Sequence, residues 1–404
     1  MNIKQKGPLI LLLTNLFIAF LGMSLVIPIM PTLMKELHFS GEIMGYLISL
    51  FAIAQLVTSP ITGIWVDRFG RKKLIVIGLF MFSVSELIFA VGSDVWVLYL
   101  SRILGGISAA LIMPSVTAFV ADITTLEERP KALGYVSAAI STGFIIGPGI
   151  GGYAAEWGVR VPFYLAAAVA LVAAIFSLFM LKEPLSQEQL KMNREKKAKI
   201  NIFEELKKST HSVYFVPFII IFVLSFGLSA FDTIFGLFVD NKFGFTAKDI
   251  ATILTVSAIL GTIAQVFLFD KLVKIFGERK LIQMFLLISA IFMVISIFVR
   301  SYWVILGTTF VMFLAFDLLR PALTTLLSRM AGEDQGFVAG MNSTYTSFGN
   351  IIGPLVGGML FDVNINFPYT FAAIMLVVAW GLSVKWKEKT GASNAVYSTA
   401  SDKI

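Results

Sequence analysis

Long apolar runs separated by short polar segments dominate the chain. The runs lie at 8–34, 42–66, 74–93, 95–121, 131–156 and 161–181, and again at 213–239, 247–269, 281–299, 302–328, 335–361 and 367–386. Each reaches the roughly 20 residues that a helix needs to cross a bilayer. We therefore predict an all-α integral membrane protein of twelve spans in two six-helix halves. The halves are 1–181 and 213–389, joined by a charged linker, 182–212, and followed by a tail, 390–404.

A glycine- and proline-rich decamer occurs twice. Residues 143–152 read GFIIGPGIGG and residues 349–358 read GNIIGPLVGG, so the second copy begins 206 positions after the first. Proline removes a backbone hydrogen bond and glycine permits close helix contact. A kinked structural helix would explain one copy, but duplication favours a pivot or seal shared by two related halves. The residues concerned are Gly147, Pro148 and Gly151 in the first copy and Gly353 and Pro354 in the second.

The distribution of basic residues predicts the orientation. Most of the 32 lysines and arginines fall in the loops on the side of the termini and the central linker. The opposite side holds only Lys35, Arg160, Lys242, Lys248 and Arg300. Because cytoplasmic loops carry the excess of basic residues, we predict that both termini and the linker are cytoplasmic. The net charge of +7 is therefore a topology signal, and we expect no nucleic-acid partner.

Composition narrows the class of protein further. Hydrophobic residues make up 57% of the chain and charged residues 14%, against about 25% charged residues in soluble domains. The chain has no cysteine and only two histidines, His38 and His211, so we expect no metal site. The first run lacks a cleavage site and is read as an uncleaved span. We find no catalytic constellation in the loops and expect a protein that is not an enzyme.

Two further motifs carry charge. The loop between the second and third runs contains Asp67, Arg68, Gly70 and Arg71, and a related string begins at Asp270. We interpret this loop as a cytoplasmic latch, although a basic loop with a capping aspartate is the plainer alternative. Arg102 lies within the fourth run, where a buried arginine is costly and needs partners. It either takes part in a transport cycle or only holds helices together.

Acidic side chains within apolar runs are candidates for function. Asp232 lies in the seventh run and Asp317 in the tenth, where Arg320 shares its helical face. Asp232 has no arginine within one turn, so we expect it to exchange protons more readily. A permanent Asp317–Arg320 pair remains an alternative. Glu86, in the third run, is left without an assigned role.

Across essentially its whole length the chain resembles the major facilitator superfamily. The loop string after Gly63, the Arg102 motif and the Gly147–Pro148 motif stand in the spans where that family carries its signatures. Within the family, the stretches Asn15–Pro28, Ser137–Gly152, Ser225–Asp232, Phe316–Pro321 and Gln335–Gly358 are similar to the Bmr/NorA group of bacterial multidrug/proton antiporters.

The resemblance implies a monomeric efflux antiporter of the bacterial cytoplasmic membrane that exports lipophilic, often cationic, drugs. The proton gradient would drive it without a cofactor, and Asp232, Asp317 and Arg320 would couple protons to transport. The resemblance also implies a drug cavity lined by Phe20, Phe51, Gln55, Phe144, Phe316 and Asn350, where plain helix packing is the alternative for each aromatic. A same-fold transporter of a sugar, polyamine or other metabolite is the second hypothesis.

Overall fold

A computed structural model describes residues 3–125, 127–186, 188, 202–210, 212–331 and 334–386. Within these ranges every regular element is a helix. The helices are α1 Ile3–Leu25, α2 Met30–Glu36, α3 Gly41–Phe69, α4 Arg71–Val91, α5 Val95–Ile123, α6 Arg129–Ala154, α7 Val161–Met180, α8 Ile202–Thr210, α9 Phe215–Phe243, α10 Ala247–Phe267, α11 Phe269–Phe298, α12 Tyr302–Ala331, α13 Gln335–Val363 and α14 Phe367–Lys385.

The predicted apolar runs coincide with these helices. The first run is divided because Pro28 and Pro31 lie where α1 gives way to a 3₁₀ turn and then to α2. The ninth run was predicted to begin at 281, but α11 already begins at Phe269 and contains one non-helical residue, Gly277. Polar side chains begin two of the helices: Ser40 accepts a hydrogen bond from the Ile43 amide and Asp94 accepts one from the Trp96 amide.

Eleven membrane spans are supported by helix length and composition in the described residues. Helix α13 has 29 residues, which is ample length, but it is not among the eleven. Its first half, 335–350, is rich in glycine, serine, threonine and asparagine, so it lacks a sufficiently apolar window. The all-helical prediction is confirmed, while the count of twelve spans rests on the assignment of α13.

The chain divides into two compact units. Unit 1 consists of Met1–Ile200, Ala230–Ile259 and Pro354–Pro368, and unit 2 consists of Asn201–Ser229, Leu260–Gly353 and Tyr369–Ile404. The predicted halves, 1–181 and 213–389, are a different partition and stay a prediction. The tail 390–404, His211 and most of the linker lie outside the described residues.

Unit 1 has a continuous apolar core contributed by α1, α4, α5, α6 and α7. Leu12 and Leu16 of α1 are fully buried against Ile75 of α4 and Val116 and Phe119 of α5. Helix α3 packs on α5, and α4 packs on both α5 and α7. These helices carry the charged side chains of Arg71, Glu86 and Arg102.

Candidate functional site

The two acids predicted to couple protons lie in different units, Asp232 in unit 1 and Asp317 in unit 2. Asp232 is exposed although it lies well inside α9, between the buried residues Phe231 and Thr233. A carboxylate within a membrane-spanning helix is costly in lipid and needs water or a polar partner. Asp317 on α12 is half-buried.

Asp317 and Arg320 share a face of α12 without bonding to each other. In the part of the chain that the structure describes, their side chains form no ion pair within 4.0 Å. Arg320 is exposed, and its charge acts on Asp317 through space only. This geometry does not support the alternative in which the pair is permanently closed.

The aromatic residues predicted to line a cavity differ in exposure. The rings of Phe20 and Phe144 lie 5.4 Å apart between centroids, and Phe144 is 42% exposed. Phe316 is only 2% exposed, so in this conformation it is a packed side chain rather than part of an open wall. Asn350 on α13 is half-buried and belongs to unit 2, whereas the Phe20–Phe144 pair belongs to unit 1.

Phe51 and Gln55 lie one turn apart on α3. Phe51 and Gln55 are both half-buried. A Cβ atom added at Gly105 would meet the Phe51 ring at 3.1 Å, and one added at Gly106 would collide with the Phe51 carbonyl oxygen. The two glycines of the Arg102 motif therefore set how closely α5 approaches α3 at Phe51.

Arg102 has an acidic partner that sequence reasoning missed. Its Nη2 lies 2.9 Å from Oε1 of Glu86, and the residues are 9% and 1% exposed. The guanidinium also lies over the Phe89 ring, 4.2 Å from its centroid. Glu86 Oε2 and Arg102 Nε have no hydrogen-bond partner among the described residues. The sequence did hold a signal for this ion pair, because Glu86 and Arg102 are each the lone charge within neighbouring apolar runs.

The predicted latch loop converges on Arg71, which is buried. Its Nη2 lies 3.0 Å from Asp67 Oδ1 and its Nε lies 2.7 Å from Asp122 Oδ2. The Glu183 carboxylate accepts hydrogen bonds of 3.0 Å from the amides of Arg71 and Lys72 at the N-terminus of α4. Asp122 and Glu183 were not predicted, because both lie far from the loop in sequence.

The turns of the two related loops need glycine. Gly70 has φ +99° and Gly277 has φ +74°, a region that other residues adopt only with strain. The arginines that follow the two turns have different partners. Arg71 pairs with carboxylates, whereas Arg279 donates to the carbonyls of 383, 384 and 386 at the end of α14. Asp270 lies in the first turn of α11, ahead of this turn.

One face of each duplicated decamer packs on an earlier helix of the same unit. A Cβ atom at Gly147 would collide with Ser24 Oγ, and one at Gly151 with the Leu25 carbonyl oxygen, both on α1. The Ser24 hydroxyl donates to the Gly143 carbonyl at 2.9 Å. In the second copy, a Cβ atom at Gly349 would lie 2.6 Å from the Phe226 amide nitrogen on α9.

The other face of each decamer makes a second close contact, and we call these two contacts the paired seam. In the first, a Cβ atom at Gly152 of α6 would collide with Ala251 of α10. In the second, the Gly358 Cβ position on α13 would collide with the Gly41 carbonyl of α3. All four helix segments belong to unit 1.

A carboxylate lies four residues after the last glycine in each contact of the seam. Glu156 Oε1 accepts a hydrogen bond of 2.8 Å from Nζ of Lys248, which lies in the first turn of α10. Asp362 accepts from the amides of Gly41 and Glu42 at 2.7 and 2.8 Å, and so caps the N-terminus of α3. Neither acid was predicted from the sequence.

Comparison with known families gives the assignment. Residues 12–267 and residues 217–396 both match the model of the Major Facilitator Superfamily. The chain belongs to the major facilitator superfamily. It is therefore a multi-pass membrane protein, and the superfamily membership predicted from the sequence is confirmed.

Relatives within the superfamily match nearly the full chain. "Multidrug resistance protein 2" of Bacillus subtilis is 58% identical over 386 residues, which is 96% of either chain. "Multidrug resistance protein 1" of the same organism is 55% identical over 95% of this chain and 97% of its own. "Quinolone resistance protein NorA" of Staphylococcus aureus is 43% identical over 89% of this chain and 91% of its own.

Solved structures of the superfamily share the fold. An inward-facing bacterial homologue of the human lysosomal transporter Spinster matches with a TM-score of 0.79 at 15% identity, over 95% of this chain and 97% of that one. The nucleoside transporter NupG matches with a TM-score of 0.73 at 14% identity, over 94% of this chain and 98% of that one. At such identities the likeness bears on the fold alone.

Proposed function

We propose that the protein is a multidrug efflux antiporter of the bacterial cytoplasmic membrane, driven by the proton gradient. The observation that carries the proposal is the identity of 43–58% to three relatives named for multidrug or quinolone resistance, over nearly the whole length. Its substrates are lipophilic, often cationic, compounds.

Asp232 and Asp317 carry the exchanged protons in this proposal. Deprotonated, they attract a cationic drug, and protonated, they release it. One pH unit contributes about 1.4 kcal/mol per proton, and 100 mV contributes about 2.3 kcal/mol per net charge moved. Two observations support this role: Asp232 is exposed, and Asp317 forms no ion pair with Arg320 among the described residues.

The drug contacts an apolar wall. Phe20, Phe51 and Phe144 offer rings in unit 1, and the half-buried polar side chain of Gln55 lies one helical turn from Phe51. Such a wall holds unlike molecules because apolar contacts demand little directional matching. In unit 2, Phe316 and Asn350 are proposed as further drug contacts.

Alternating access accounts for the paired seam. With α13 counted as the twelfth span, each proposed six-helix bundle contributes one Gly-Pro helix, and the chain works as a monomer with cytoplasmic termini. The loops beside Lys35, Arg160 and Lys248 are then extracellular. We infer that the paired seam closes the extracellular side and must separate for release.

The test is efflux of a cationic dye from energised cells, with and without a protonophore. Asp232→Asn and Asp317→Asn should each reduce protonophore-sensitive efflux to the background rate, because an amide side chain does not bind and release a proton as a carboxylate does. Asp94→Asn is the matched control, since asparagine caps the start of α5 as well as aspartate does. Full activity in either span variant, or efflux that ignores the protonophore, contradicts the proposal.

A further inference from the structure

The carboxylate of Asp317 lies where a neighbouring residue has no side chain. Gly261 on α10 and Asp317 on α12 both belong to unit 2. A Cβ atom built on Gly261 would collide with Asp317 Oδ2 and would lie 2.8 Å from its Cγ and 3.3 Å from its Cβ. The acid therefore occupies the volume that any other residue at 261 would fill.

The close contact with the Asp317 carboxylate belongs to Gly261 and not to a glycine on the same helix as Asp317. Gly307, on the same helix as Asp317, has no atom within 4 Å of its Cβ position. In a helix interior, glycine is less favourable than alanine by roughly 1 kcal/mol. A glycine at 261 is thus explained by the carboxylate that lies against it rather than by helix formation.

We propose that Gly261 is a positioning residue for Asp317: the absent side chain leaves the space in which the carboxylate lies against the backbone of α10. This inference rests on the proposed function, in which Asp317 carries a proton. It adds that proton exchange depends on how closely α10 approaches α12 at this point.

The surroundings of Asp317 make its exact position matter. Arg320, on the same helix, is the charged group that acts on it among the described residues. Helix α10 contributes no ionisable side chain over 250–267, and α11 contributes none over 281–298. With one charge nearby and apolar helices around it, a displacement of an ångström or more changes both solvation and the distance to Arg320, which together set proton affinity.

The first experiment compares Gly261→Ala with Gly307→Ala. Proton-driven dye transport into everted membrane vesicles is measured from pH 6 to pH 9, and substrate affinity is measured on the purified protein. We expect Gly261→Ala to move the midpoint of the pH profile by about 0.5 unit or more, with little change in affinity. Gly307→Ala should reproduce the wild-type profile. A Gly261→Ala profile that superimposes on the wild type overturns the proposal.

A double-mutant cycle covers the case in which Gly261→Ala folds poorly. The thermal unfolding temperature is measured for Gly261→Ala alone and in the Asp317→Ala background, where the carboxylate is gone. We expect Gly261→Ala alone to lower the unfolding temperature relative to the wild type. In the Asp317→Ala background, Gly261→Ala should not lower the unfolding temperature any further. An equal loss in both backgrounds overturns the proposed contact.

The outcomes also separate this inference from the proposed function. Transport by Asp317→Asn with a normal pH profile removes the proton role of Asp317, and the proposed function fails together with this inference. An inactive Asp317→Asn with an unchanged Gly261→Ala refutes only the role of Gly261.

Discussion

The paired seam can be locked by a disulfide between α6 and α10. Gly149 and Thr255 are suitable because the Cβ position of Gly149 lies 4.0 Å from Thr255 Cβ, within the usual disulfide range of about 3.5–4.5 Å. The chain contains no cysteine, so the pair Gly149→Cys/Thr255→Cys introduces the only thiols. Thr255 Oγ1 is buried without a partner among the described residues, so its replacement loses no hydrogen bond.

We expect this pair to crosslink under mild oxidation and to stop transport. The proposed cycle requires the seam to open for release, and a covalent bond of this length does not allow α6 and α10 to separate. The transport rate should therefore fall in proportion to the crosslinked fraction. That fraction is read from thiol labelling of the denatured protein, and the rate from dye efflux before and after addition of dithiothreitol.

The control crosslinks the other face of a decamer. The Cβ position of Gly357 lies 3.4 Å from Ala230 Cβ, which joins α13 to α9 within one proposed bundle. Gly357→Cys/Ala230→Cys should crosslink without loss of transport. The single-cysteine variants at positions 149, 255, 230 and 357 should all be active. Full transport by the quantitatively crosslinked Gly149–Thr255 pair would refute the role of the seam in alternating access.

Three other changes have defined outcomes. Glu86→Gln should destabilise the protein by about 3–5 kcal/mol, because it leaves Arg102 buried without its counter-charge, whereas Glu86→Leu with Arg102→Met should be near neutral in thermal unfolding. Asp362→Ala removes the two hydrogen bonds that Asp362 accepts at the start of α3, while Ser40 still accepts from the Ile43 amide. The loss should cost the closed seam about 1 kcal/mol, or roughly five-fold faster labelling of a single seam cysteine, while Asp362→Asn should stay near wild type. Gly106→Ala should displace Phe51 through its carbonyl, cost about 1–3 kcal/mol, and alter the relative efflux rates of two dyes of different shape.

The helices of this fold could be predicted because each depends on a local pattern. Spans of about 20 apolar residues leave few alternatives to a helix in lipid. Even the break after α1 has a local cause in Pro28 and Pro31. Helix α13 was also predicted, at 335–361, and is found at Gln335–Val363, although small polar residues in its first half keep it out of the eleven apolar spans.

Partners distant in sequence could not be predicted in the same way. Glu183 caps the start of α4 from more than a hundred residues away, and Asp362 caps α3 from more than three hundred. Nothing near these acids in the sequence identifies the amides they accept from, because that choice is made by helix packing. For the same reason Phe316 was expected on an open wall, yet packing buries its ring.

The duplicated decamer, proposed as a pivot and a seal, makes contacts on two faces. Its glycines face two ways: Gly143 and Gly349 contact α1 and α9, while Gly152 and Gly358 contact α10 and α3. The acids that follow, Glu156 and Asp362, are also equivalent positions, because 362 follows 156 by the same 206 residues.

The bonds that these two acids make are not equivalent. Glu156 forms an exposed ion pair with a lysine side chain, which salt screens, whereas Asp362 binds backbone amides at a helix N-terminus. Two contacts of the same shape but different chemistry need not open with equal ease. Since exposed ion pairs contribute about 0–1 kcal/mol and a helix cap about 1 kcal/mol, the α3–α13 side is the stronger of the two. In the proposed cycle we therefore expect the seam to open first between α6 and α10, where the ion pair is the weaker bond.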